Sequence, residues 1–519
     1  MTMDQTVIDA ARVAFPGAQS QLTLGAVLHD GQHHPEPLVS IPIAMMNRHG
    51  LIAGATGTGK TRTLQLIAEQ LSAAGVPVFV ADIKGDLSGL GAPGPANERI
   101  ESRAKETGYN WQSMSYPVEF LSLTGKKGAQ LRATVSSFGP VLLAKVLGLN
   151  STQTSVLSLV FKYCDDKGLL LLDFSDLRAV LQYLTGEGAD ELKDYGGMSK
   201  ATVGVLLREM VELEQQGAEE FFGEPEFEIE DLMQVERDGR GLISILELAD
   251  VQNKPALFST FMLWMLATIY NELPEVGDLD KPKLAFFFDE AHLLFDNASK
   301  DLLEQIQQVV RLIRSKGVGV YFITQSPKDI PEEVLGQLGH RVQHALRAFT
   351  PDDDKALRAA ARTFPKTKFY DVEEILTTLG TGEALITVLS PKGVPTPPFA
   401  TRLIPPASLM SPIGDLDQRI ATSRQVRKYA TDVDRESARE MLAARIAPAA
   451  AQVDVDERDS VTPPKAARTS RARTPKEPPG TFEQIMKSPV ARTVAGTITR
   501  GIMGALLGTP RRRRTTRLW

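Results

Sequence analysis

Residues 54–61 read GATGTGKT, a match to G-x-x-x-x-G-K-[ST], and no other stretch restricts the fold as much. Its glycines let the backbone curl so that successive N–H groups point at one phosphate, and the dipole of a following helix adds to the attraction. Such a loop works only between a strand and a helix. Leu51, Ile52 and Ala53 form a short apolar run entering the turn, and beyond Lys60 the residues Leu64, Ile67, Ala68 and Leu71 recur at helical spacing until Gly75. The run 76–83 (VPVFVADI) then has the unbroken apolar character of a strand buried on both faces. Strand, loop, helix and strand make one α/β unit, so the expected fold is α/β, with a mainly parallel sheet flanked by helices.

A phosphate loop alone does not separate a hydrolase from a kinase or a switch. Residues 284–290 (LAFFFDE) do, because they read as an apolar strand ending in two carboxylates. The carboxyl ends of parallel strands share one edge, which sets Asp289 and Glu290 beside the loop. Lys60 is then expected to reach the β- and γ-phosphates of ATP, within a cradle of Gly54, Ala55, Thr56, Gly57, Thr58, Gly59, Thr61 and Arg62. Thr61 and Asp289 are the expected Mg²⁺ residues, and Glu290 the group that polarises the attacking water. The run 318–324 (VGVYFIT) brings Gln325 to the same edge, where an amide senses the γ-phosphate, orients water or simply caps its loop. His292 reads either as a helix-start histidine or as a γ-phosphate contact. Asp82, Lys84 and Asp86 read either as groups near Mg²⁺-bound water or nucleic acid, or as a salt-bridged loop. Arg311, Arg314, Arg341 and Arg347 lie near the ends of late elements, as surface ion pairs or as a guanidinium completing a neighbouring subunit's site.

A chain of 519 residues has room for about three domains, or one large domain with insertions. The expected organisation is a short N-terminal segment (1–45), a first part of the core (46–91), a helical insertion (92–238) and a second part of the core (239–405). The insertion rests on helical patterns at 141–149, 155–163 and 202–215. The second part rests on strand runs at 241–248, 284–288 and 318–324, with weaker candidates at 341–349 and 384–389. Apolar density falls after Pro405 and Pro406, so the packed body is expected to end near 410. A helical extension (406–447) and a disordered linker (448–480) rich in Pro, Ala, Arg and Thr are expected beyond it.

The last segment, 481–519, is basic and carries an apolar stripe (Val490, Val494, Ile498, Ile502, Leu506) that suits an amphipathic helix. From 463 onward, 13 Lys and Arg face only Glu477 and Glu483, a charge of +11, which leaves −17 for residues 1–462 out of the total of −6. An acidic body does not bind a polyanion broadly, whereas such a tail suits DNA or an anionic membrane surface. The single cysteine, Cys164, excludes an intrachain disulfide and a multi-thiolate metal site. With no secretory pattern at the start, and 255–271 too polar to span a bilayer, a cytoplasmic protein is expected.

The segments GATGTGKT, VADIKGDLSGL, FFFDEAHLLF and RSKGVGVYFITQSPKDIP, in that order and followed by GEALITVLSPKGVP, resemble the HerA/FtsK superfamily of P-loop motors across about residues 20–405. More narrowly they are similar to the bacterial HerA-like ATPases often called YjgR. The resemblance implies a RecA-like P-loop NTPase core that binds ATP and Mg²⁺ and assembles as a homo-oligomeric ring, most often a hexamer. It assigns nucleotide to Lys60 and Thr61, hydrolysis to Asp289 and Glu290, the sensor to Gln325, and finger-like positions to Arg314 or Arg341. Fewer than fifty residues precede the P-loop strand, too few for the full N-terminal β-barrel of archaeal HerA, so that family's docking to a nuclease is not carried over. A DNA translocase or helicase without base-specific readout is the first functional reading. A ring ATPase acting on protein or a membrane-associated complex, and a nucleotide-dependent scaffold, are the alternatives.

Overall fold

A computed structural model of the chain describes residues 3–445, apart from 18–19, 278, 296–299, 432 and 434. Among the described residues twelve strands form one sheet: β1 (Gln21–His29), β2 (Gln32–Pro42), β3 (Gly50–Ala53), β4 (Val78–Asp82), β5 (Val118–Ser122), β6 (Ala129–Gln130), β7 (Ile243–Glu247), β8 (Leu284–Phe288), β9 (Val318–Thr324), β10 (His340–His344), β11 (Glu383–Thr387) and β12 (Phe399–Leu403). Their order is β2-β1-β12-β11-β10-β3-β9-β8-β4-β7-β5-β6. From β10 to β6 every pairing is parallel, and from β10 back to β2 every pairing is antiparallel. The parallel part therefore has one carboxyl edge, on which the loops after β3, β4, β8 and β9 meet.

The run of three phenylalanines in β8 follows from burial on both faces. Phe286 and Phe288 pack with Phe79, Phe322, Phe261 and Trp264 on one side. Ala285 and Phe287 pack on the other with Val78, Val80, Tyr321 and the apolar face of the helix Lys60–Ala73, namely Leu64, Ile67, Ala68 and Leu71. Each such phenylalanine contributes roughly 1.5–3 kcal/mol by leaving water, so strand placement is strongly determined here. The helix Pro255–Glu272 is buried around most of its circumference and packs against the helix Lys300–Ile313, whose Ile306, Val309, Val310 and Ile313 form an apolar stripe at helical spacing. Cys164 is buried and free. Among the described residues no helix is long and apolar enough to cross a membrane.

Three expectations are corrected. The insertion at 92–238 is not purely helical: β5 pairs with β7 and β6 with β5, so it widens the sheet by two strands. Segment 118–122 is short and carries Glu119, and Leu121 aligns with Leu246 far along the chain, so nothing local announces it. The N-terminal segment is likewise part of the sheet. Its strand β2 contains Pro35 and Pro37, which an edge strand tolerates because one side of its backbone is unpaired. Finally, packing does not stop near 410, because Tyr429, Ala438 and Leu442 enter the main core. The Glu69 carboxylate, on the P-loop helix, also accepts the N–H groups of Ala407 (2.8 Å) and Ser408 (2.9 Å). The linker 448–480 and the basic tail 481–519 lie outside the described residues.

Candidate functional site: a phosphate loop beside paired carboxylates

The loop leaves β3 between β9 and β10, with the Gly54 N–H donating to Thr324 O (3.3 Å) and the Ala55 N–H to Ala345 O (2.9 Å). Gly54 has φ +153, and a Cβ there would lie 2.5 Å from His344 Cβ, so no larger residue fits. Thr56 and Gly57 are exposed at the tip. Gly59, at φ +118, caps the helix Lys60–Ala73, whose first N–H groups have no intrahelical partner and face the loop. Thr58 Oγ1 donates to Ala55 O (2.7 Å), and the Gly382 N–H to Thr58 O (2.9 Å), so the curl is braced from within and from behind.

Lys60 is 6% exposed and folds back over the loop, donating from Nζ to Gly54 O (2.7 Å) and Ala55 O (3.2 Å). Burial lowers its pKa, while Glu290 pulls the other way. Behind it, Thr63 Oγ1 lies 2.8 Å from His344 Nε2. Burial and the Lys60 charge push His344 down to about 4, which keeps that ring neutral. Thr61 is half-buried on the helix's first turn. Burial also lowers the pKa of Arg62, against the pull of Asp86 and Asp82, and its guanidinium donates to Gln65 Oε1 (2.8 Å).

Across the edge, Asp289 is 1% exposed, and neither carboxylate oxygen has a hydrogen-bond partner. Burial pushes it up to about 6, with Lys84 opposing. Glu290 takes φ +47, a left-handed conformation that costs a residue with a side chain roughly 1–3 kcal/mol. Its Oε1 accepts from Lys84 Nζ at 2.5 Å, and its Oε2 lies 3.4 Å from His292 Nδ1. Burial raises the Glu290 pKa, but the bond and charge of Lys84 outweigh it and the net shift is downward. Lys84 moves up correspondingly, as its carboxylate neighbours overcome its own desolvation. In the 82–86 loop, Lys84 is ion-paired with the carboxylates at 289 and 290, whereas Asp82 accepts backbone N–H groups of its own loop. Gln325 is exposed and shares a cleft of about 390 Å³ with Ala55, His292 and Arg347.

Arg314 and Arg341 are not brought to this edge. Arg314 precedes β9 and Arg341 lies near the start of β10. With Arg48 and Arg311 they line a cavity of about 560 Å³ at the amino edge. The seven residues of β9 separate Arg314 from Gln325 by about 23 Å at 3.3 Å per residue. The Arg341 guanidinium donates to Thr363 O (2.7 Å) and Leu335 O (3.3 Å), whereas Arg314 is exposed and makes no ion pair among the described residues.

Glu247, which the sequence does not single out, ends β7 opposite Asp82 in register. It is 1% exposed, and burial and the Asp82 charge push it up to about 7. Because the folded state holds this proton more tightly than the unfolded chain, the associated stability is present below pH 4.5 and is lost as pH rises through 7. Glu247→Gln is therefore expected to stabilise the protein at pH 8 by on the order of 1 kcal/mol and to change it little at pH 4.5. Thermal unfolding at the two pH values reads the difference.

A parallel sheet whose carboxyl edge carries a glycine phosphate loop and, one strand removed, a buried carboxylate pair defines a P-loop α/β protein. The chain belongs to the helicase HerA-like C-terminal family, whose model matches residues 28–514. Probable helicase MJECL08 of Methanocaldococcus jannaschii is 25% identical over 154 residues, 28% of this chain and 28% of its own length. The DNA double-strand break repair helicase HerA of Sulfurisphaera tokodaii is 22% identical over 370 residues, 67% of this chain and 64% of its own length. The chain thus covers less than two thirds of either relative. Among solved structures, the bacterial conjugative coupling protein TrwB aligns at a TM-score of 0.49 and 16% identity, over 78% of this chain and 94% of that one.

Proposed function

We propose that this protein is an ATP hydrolase that uses Mg²⁺ and works as a ring motor, most simply a hexamer, on DNA. The observation that carries the reading is Asp289, buried on the edge that presents Lys60 and Thr61, with no hydrogen bond to either oxygen and its nearest cation, Lys84 Nζ, 3.9 Å away. Burying a carboxylate without hydrogen-bond donors is costly, and the hydration shell of a divalent cation supplies the missing donors, so the donor set fits the metal. Bound Mg²⁺ would neutralise phosphate charge as the terminal bond breaks. Thr61 and Asp289 would hold it, while the backbone of 54–62 and Lys60 bind the phosphates. Glu290 accepts a proton from the attacking water, and Gln325 orients that water from the adjacent strand. The nucleoside has room in a cavity of about 630 Å³ on the other flank of the helix, bounded by Gly59, Arg62, Leu66, Ile404 and Pro405.

DNA as the substrate is supported by family membership and by the names of the two helicase relatives. An ATPase assay with and without Mg²⁺, and with single- and double-stranded DNA, tests both parts. Mg²⁺-dependent turnover stimulated severalfold by DNA is expected. Turnover that is indifferent to DNA would favour a protein or membrane-associated substrate, and absence of turnover would sink the hydrolase reading.

A further inference from the structure

The loop after β4 is wound around one carboxylate. Asp82 accepts the backbone N–H groups of Lys84 (3.2 Å), Gly85 (2.8 Å) and Leu87 (2.8 Å), and Gly85 turns the chain at φ +70. The backbone of residue 84 is fixed by these bonds, yet its side chain is 42% exposed. From this anchored position Lys84 Nζ lies 2.5 Å from Glu290 Oε1 and 3.9 Å from Asp289 Oδ2. No other Lys or Arg among the described residues pairs with either carboxylate.

We propose that Lys84 is a tethered counter-ion, which fills the cation position between Asp289 and Glu290 and withholds Glu290 from water until metal and phosphate take over the charge balance. The inference rests on the hydrolase reading above. Two adjacent, largely buried carboxylates repel each other and need a nearby cation to stay ionised together. A lysine suits a removable one, being a point charge on a flexible four-carbon stem, whereas an arginine fork would lock in place. While Oε1 accepts from the ammonium, its lone pair is engaged and serves poorly as a base. A triphosphate arriving at Lys60 offers the Lys84 ammonium a denser negative charge, and its departure frees Oε1. Lys84 forms no covalent bond in this scheme and is a positioning residue.

The test uses the full chain and a metal alone. Mn²⁺ is titrated without nucleotide, with free Mn²⁺ read by electron paramagnetic resonance, for wild type, Lys84→Met and Lys84→Arg. Removing the internal cation should tighten Mn²⁺ binding about tenfold in Lys84→Met, and Lys84→Arg, whose fork is harder to displace, should bind Mn²⁺ no more tightly than wild type. In steady-state hydrolysis, Lys84→Met should also need less Mg²⁺ to reach half its maximal rate. Identical Mn²⁺ titrations for Lys84→Met and wild type overturn the proposal. If Lys84→Met does not fold, Lys84→Gln, which keeps a hydrogen bond to Glu290 without the charge, decides in the same way. The metal titration does not depend on turnover. A wild type that hydrolyses ATP beside a variant with unaltered metal affinity defeats the Lys84 inference alone, and a wild type without ATPase activity defeats the functional reading alone.

Discussion

Glu290→Gln is expected to bind ATP with near wild-type affinity and to hydrolyse it at least about 100-fold more slowly, the usual loss when a positioned general base is removed. Glutamine matches glutamate in size, keeps an oxygen for the Lys84 ammonium at 2.5 Å, and loses only the ability to take a proton from water. Lys60→Ala should behave differently. It removes the ammonium that lies over Gly54 O and Ala55 O, so nucleotide affinity itself should fall along with turnover. Binding measured by calorimetry or a fluorescent nucleotide, next to single-turnover hydrolysis, separates the two. Equal loss of binding in both variants would show that the roles are wrongly divided.

Arg314→Ala is expected to lower turnover about 1,000-fold while leaving nucleotide affinity within a few-fold of wild type, the signature of a guanidinium that acts only in the transition state. Its own phosphate loop is out of reach, since β9 lies between them. The exposed guanidinium lies at the amino edge, from which the proposed ring would offer it to a neighbour's site. Mixing Arg314→Ala chains with Lys60→Ala chains should restore activity, because an intact loop on one chain then meets an intact arginine on the other. Mixtures no more active than either variant would exclude action in trans. Arg341→Ala should mainly lower the melting temperature, because its guanidinium is already committed to Thr363 O and Leu335 O.

Much of the core was legible because its signals are local. The runs at 284–288 and 318–324 coincide with β8 and β9, since a strand covered on both faces must be continuously apolar. The phosphate loop was legible because its chemistry requires glycines and a lysine at set spacing. Strands β1, β2, β5, β6 and β12 were not foreseen, for they are short, proline-bearing or paired with distant partners, and their alternation is weak. His344 and Glu247 carried no signal either. Each is an ordinary residue at a strand end until the fold brings Thr63 or Asp82 against it.

By itself, then, the sequence determined the strands around the phosphate loop and the paired carboxylates (β3, β4, β7, β8 and β9) and the helix after the loop, and which residue types can hold a phosphate and poise a carboxylate. Strand order was decided by the tertiary structure, which seats β9 between the loop strand and the carboxylate strand. So was the pairing of Lys84 with Glu290, residues 206 positions apart. So too was the removal of Arg314 and Arg341 to the edge opposite the loop. The physical reason is common to all three. Periodicity and turn chemistry act over a few residues, whereas crossover connections bring together groups whose attraction or repulsion exists only once the sheet has formed.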